Sequence, residues 1–223
     1  MKLESSKIRI LFVQAVTMVL FVFQLYTAGL GSLPGTQQLS LHFGLVMIVL
    51  FLTIGWHGKR KSNDPLKVWD FIFVALVLFC AGIAFLAWRR WMMFPSRMST
   101  TDLIGAAIVT VLILEGSRRL LGWALHIVLA VLLVYVLVGP LLPGRFGTAS
   151  FGWIPTLRSL GVEGAWGWIT SISARTIAVY MLFGGMLAAF GGARPFIDVA
   201  NVIAGRFRGG PALVAVVGSG LFG

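Results

Sequence analysis

Apolar residues run along this chain in long blocks parted by short polar breaks. The blocks have the length of membrane-crossing helices and lack the alternation of half-buried strands. No Asp, Glu, Lys or Arg occurs from Ile10 to Gly58, a run too long for one crossing of a hydrocarbon core that takes about 20 helical residues. The break Gly31-Ser32-Leu33-Pro34-Gly35 divides it into two spans, from Ile8 to Leu30 and from Leu39 to Trp56. Asn63-Asp64-Pro65 is a helix-start signal ahead of a third span from Trp69 to Trp88, closed by Arg89-Arg90-Trp91. Thr100-Thr101-Asp102 offers an N-cap to a short fourth span that ends at Leu114, before Glu115-Gly116-Ser117-Arg118-Arg119. A fifth span runs from Leu120 to Leu142 and a sixth from Ser171 to Phe190, with a polar, glycine-rich connection from Arg145 to Gly167 between them.

Beyond Pro195 the pattern changes. Phe196, Val199, Ile203 and Phe207 recur every three or four residues with Asp198, Asn201 and Arg206 between them, the spacing of an amphipathic helix lying in the interface. Gly205-Arg206-Phe207-Arg208-Gly209-Gly210-Pro211 then reads as a tight turn back into the membrane, since glycine permits backbone angles that a side chain obstructs. Proline suits the first turn of the helix that follows. That apolar run is still uncharged at Gly223 and too short to span, so the chain is expected to be the N-terminal part of a longer protein. The fold class expected is all-α: a polytopic membrane protein with about six transmembrane helices, an interfacial helix and the start of a re-entrant helical hairpin.

Composition agrees. Hydrophobic residues make up 58% and charged residues 11% of the chain, against about 25% charged in a soluble protein. The formal net charge of +11 would suggest nucleic acid, but the basic residues flank the apolar blocks and gather in no single face, so nucleic acid is excluded as a partner and the lipid bilayer takes its place. They report topology. With the N-terminus inside, Lys2, Lys7, Arg9, Lys59, Arg60, Lys61, Lys67, Arg118, Arg119, Arg194, Arg206 and Arg208 face the cytoplasm, and Arg89, Arg90, Arg97, Arg145, Arg158 and Arg175 face outward. The first span exceeds the ~7–15 apolar residues of a signal peptide and lacks an Ala-x-Ala site, so it is retained.

Little here suits catalysis. Val217-Gly218-Ser219-Gly220 lacks the spacing of a nucleophile elbow, and no histidine follows it. His42, His57 and His126 are scattered, and Cys80 is the lone cysteine, so neither a metal site nor a disulfide is expected. Gly58-Lys59 lacks a phosphate-loop pattern. No enzyme activity and no cofactor are expected. Glu115 stands three and four residues before Arg118 and Arg119, a spacing that suits ion pairs along one helical face as well as a solvated helix junction. Arg175, at the mouth of the sixth span, has the position of a residue that snorkels to the headgroups.

An ordered set of short motifs carries a resemblance. Glu115-x-x-Arg118-Arg119-x-x-Gly122 is followed by Tyr135 and Gly139-x-x-Leu142-Pro143-Gly144, then by Leu182-Phe183-Gly184 and Gly191-Gly192-x-x-x-Phe196-Ile197-Asp198. Gly205-Arg206-x-Arg208-Gly209-Gly210-Pro211-Ala212 and Val214-Ala215-Val216-Val217 close the series. Together they resemble the fused permease of TRAP transporters, especially the TAXI type. The resemblance implies a four-span domain over 1–114 in the place of the small subunit and, over 115–223, the N-terminal part of the large DctM-like transport subunit. It further implies a bacterial or archaeal cell membrane (the inner membrane in a Gram-negative cell), sodium as the coupling ion, an organic-acid substrate, and an extracytoplasmic solute-binding protein as partner. Ser219 and Gly220 match the approach to a hairpin tip that carries sodium ligation in that family, while the remaining binding and ion sites would lie beyond Gly223. The scarcity of charge within the spans leaves a membrane scaffold without a transport path as the alternative reading.

Overall fold

The uncharged run that opens the chain folds as two helices because Gly31 and Pro34 interrupt it: Gly31 takes a positive φ of 154°, and Pro34 caps the second helix with an extended backbone. The computed structural model describes all residues except 1, 57, 61–65, 95–97, 148–151, 208 and 223. Its elements are α1 (Lys2–Gly29), α2 (Gly35–Thr53), a minimal hairpin β1 (Ile54–Gly55) and β2 (Gly58–Lys59), α3 (Val68–Met93), α4 (Thr100–Leu121) and α5 (Trp123–Val138). The chain continues through α6 (Trp153–Leu157), α7 (Gly164–Trp166), α8 (Trp168–Ile172), α9 (Ala178–Ala189), α10 (Ala193–Ala204) and α11 (Gly210–Phe222). Among the described residues six helices are long and apolar enough to cross a membrane, the sixth running from Trp153 to Ala189. The all-helical, multi-pass architecture expected from the sequence is the one observed.

Several boundaries differ from expectation, each for a local reason. The fourth span does not stop at Leu114; α4 continues to Leu121, because the charges that follow neutralise one another instead of reaching for water. Its N-cap is Ser99, whose hydroxyl accepts from the Asp102 N–H at 3.4 Å while Asp102 accepts the Ser99 N–H at 2.9 Å. This is a capping box, set one residue ahead of the expected cap. The start signal Asn63-Asp64-Pro65 lies outside the described residues; α3 begins instead where the Asp70 carboxylate accepts the Lys67 N–H at 2.7 Å.

The polar connection after the fifth span is helical over much of its length. α6, a π-helical turn over Arg158–Glu163 and α7 precede a bend at Gly167. Close packing explains why a glycine-rich sequence forms helix here: a Cβ on Gly161 would lie 2.5 Å from the Ala106 carbonyl oxygen of α4, so the π turn can press against α4 only where a side chain is absent.

The chain divides into two compact units, Met1–Ala174 and Arg175–Gly223. In the first, α2 packs against α3 and α1, α3 against α4, and α4 against the π turn. Its core contains Phe51, Leu52, Val77, Cys80, Val109, Leu112 and Trp166. α5 buries none of its residues, which suits an apolar helix facing lipid. In the second unit α10 packs on α11, and Ala200 and Ala204 supply the buried positions of α10.

Candidate functional site

Five charged side chains converge where α2 ends, α3 begins and α4 ends. Glu115 accepts from Arg118 through both carboxylate oxygens, at 2.8 Å each, and from Arg119 Nε at 2.7 Å. Arg119 also lies 3.7 Å from Asp70 and donates to the Ile54 carbonyl at 3.1 Å. Asp70 in turn pairs with Arg60. Rings enclose the group. The Arg118 guanidinium sits 4.2 Å from the centroid of Trp56 and 5.2 Å from that of Trp123, and Arg119 lies over Phe51 and Phe73 at 5.0 and 4.8 Å. Those two phenyl rings stack on each other at 4.9 Å. The Arg119 side chain is 1% exposed, so its charge depends on the two carboxylates and the ring faces for stabilisation.

Glu115, Arg118 and Arg119 were legible from their spacing, but Arg60 and Asp70 were not singled out. Arg60 belongs to the basic run Gly58-Lys59-Arg60-Lys61, which resembles any membrane-flanking loop. Asp70 did carry a signal, since it is the one acidic residue of α3 and an acid inside a span calls for a partner.

A second polar feature crosses the interior of the first unit. His42 of α2 is bonded through Nδ1 to the Gln24 side chain of α1 and through Nε2 to Ser173 Oγ at 3.1 Å. Ser173 opens a π-helical turn, Ser173–Ile177. His42 is thus buried and joins three elements. His126 meets Trp123 edge to face at 5.7 Å, and His57 lies outside the described residues.

The glycine turn belongs to the second unit. Gly209 has φ of +85°, and a Cβ on Gly210 would lie 2.6 Å from the Gly205 carbonyl oxygen. Pro211 is the second residue of α11, where its missing N–H costs no helical bond. Arg206 lies over the Phe207 ring at 5.7 Å, while Arg208 lies outside the described residues. Ser219 Oγ donates to the Val216 carbonyl of its own helix at 2.9 Å, and Gly220 has open space around it. Arg175 is exposed. Among the described residues no cluster of three or more His, Cys, Asp or Glu side chains stands together as a metal site.

In comparison with known families, residues 108–223, more than half of the chain, match the family described as "Tripartite ATP-independent periplasmic transporter, DctM component". No curated protein and no solved structure matches the chain. The match begins within α4, so Glu115, Arg118 and Arg119 fall inside it and Arg60 and Asp70 ahead of it.

Proposed function

Because the chain belongs to the family of DctM components of tripartite ATP-independent periplasmic transporters, we propose that it serves as the permease of a sodium-driven importer of organic anions, of the TAXI type, with the small and large membrane subunits joined in one polypeptide. In this reading residues 1–114 take the place of the small subunit and residues 115–223 begin the large one. The observation that carries it is the charge cluster, in which residues ahead of the family match and residues within it neutralise one another. Removing one partner of such a buried pair costs about 3–5 kcal/mol, which favours the helices ahead of the match folding with it as one body.

Sodium coupling and an organic-acid substrate rest on the motif series from Glu115 to Val217. The substrate arrives on a periplasmic binding protein, the partner that the family's transporters use. The turn around Gly205 to Pro211 leads α11 back into the membrane, and Ser219 and Gly220 lie on the approach to the sodium site.

Uptake of labelled carboxylic acids into proteoliposomes containing the intact permease tests this. Uptake should require both an inward sodium gradient and the binding protein. Transport that persists after the gradient is collapsed overturns the sodium coupling. Gly210→Val should abolish uptake while leaving membrane insertion intact, since the added Cβ meets the Gly205 carbonyl; wild-type uptake by that variant overturns the hairpin reading.

A further inference from the structure

A cleft of about 410 Å³ opens at the other end of the first unit. It lies between the start of α2 at Thr36, the last turn of α3 at Trp91 and Met92, and the segment from Arg158 through Trp168. Thr36 is the second residue of one span, and Trp91 and Met92 lie within the last three of another, so the cleft sits at the depth of the membrane–water boundary, where tryptophan and arginine are enriched. Its walls join two chemistries. Met92, Trp168 and the faces of Trp91 and Trp166 are apolar, whereas Arg158 and Glu163 place opposite charges 3.5 Å apart. Both of these side chains remain partly open to solvent.

The indole nitrogens of Trp91 and Trp166 are sealed from solvent, so neither offers a donor to a molecule in the cleft. The rings themselves pack 5.5 Å apart. A positive and a negative group side by side and an apolar wall at the bilayer boundary together describe the complement of a zwitterionic amphiphile.

We propose that this cleft binds a zwitterionic glycerophospholipid of phosphatidylethanolamine chemistry drawn from the surrounding bilayer. Arg158 takes the phosphodiester through charge-assisted hydrogen bonds, Glu163 accepts from the ammonium, and the glycerol ester and first methylenes lie along Met92 and Trp168. The Glu163 carboxylate disfavours a headgroup of net negative charge, because its ammonium partner would be missing. The site is independent of the ion and substrate assigned above.

Native mass spectrometry of the intact permease, delipidated and then given equimolar phosphatidylethanolamine and phosphatidylglycerol, tests the proposal. The wild-type protein should retain phosphatidylethanolamine over phosphatidylglycerol by about tenfold, the size of one charge-assisted hydrogen bond. Glu163→Gln should remove the preference, and Arg158→Gln should lower retention of both lipids, with thermal melting unchanged in either variant. Soluble phosphoethanolamine should fail to displace the lipid. Equal retention of the two lipids by the wild-type protein, wild-type behaviour of both folded variants, or full displacement by the soluble headgroup overturns the assignment.

Discussion

At one end of α2, α3 and α4, Arg60, Asp70, Glu115, Arg118 and Arg119 interlock behind aromatic rings. At the opposite end Arg90, its side chain still 44% exposed, meets the buried Asp102 at 2.6 Å, and the cleft nearby holds Arg158 and Glu163 with both side chains open to solvent. The same three helices supply both ends, so helix propensity does not make the difference. What differs is how completely the charges are enclosed. A guanidinium sealed between phenyl rings tolerates no loss of its carboxylate partner, whereas one that reaches solvent can exchange that partner for water at little cost. The enclosed end acts as a clasp. The other end keeps open space beside charges that reach solvent, and that is where the proposed lipid would sit.

The sharpest way to break this contrast is Glu115→Gln, which replaces the carboxylate shared by Arg118 and Arg119 with a neutral amide and leaves two enclosed guanidinium groups without their common counter-charge. The expected loss is about 3–5 kcal/mol, read as a large fall in the melting temperature of the detergent-solubilised protein; an unchanged melting curve would mean that the clasp is solvated. Next in size is Gly161→Val. Even the first atom of the new side chain falls 2.5 Å from the α4 backbone, so overpacking should cost about 1–3 kcal/mol in the same measurement, and a neutral result would show that the π turn can move away from α4.

A smaller effect is expected midway between the two ends. Ser173→Ala removes the partner of His42 Nε2, and a single intramembrane hydrogen bond of this kind is worth about 1 kcal/mol; limited proteolysis and melting should both register the change. The smallest effect belongs to the open end. Arg158→Gln, in a pair whose two side chains are 31% and 58% exposed, should stay within about 0.5 kcal/mol of wild type, and a loss as large as that of Glu115→Gln would erase the distinction between the two ends.

Much of the architecture was legible because membrane spans are set by a one-dimensional quantity. About 20 uncharged apolar residues suffice to cross a hydrocarbon core, and the backbone must be helical there because no water can satisfy it. The six spans, the amphipathic stretch at Phe196–Phe207 and the glycine turn before Pro211 all follow from spacing. The reading failed where a polar sequence found its partners inside the fold. The run after Leu114 looked like a helix end, yet its charges are satisfied by Asp70 and by the Ile54 carbonyl. The segment 145–167 looked like a loop, yet Gly161 lets part of it pack as helix against Ala106.

By itself, then, the sequence determined that this is a multi-pass helical membrane protein, and its motif order pointed to the transporter family that the match over residues 108–223 bears out. Only the tertiary structure decided which charges are neutralised and which stay open. Arg60 and Asp70 are ten residues apart along the chain, but Asp70 and Arg119 come from different helices, and His42 is 131 residues from Ser173. Local spacing can place side chains on one face of one helix; whether a partner waits across from that face depends on how separate helices pack, and no periodicity within a single segment encodes it.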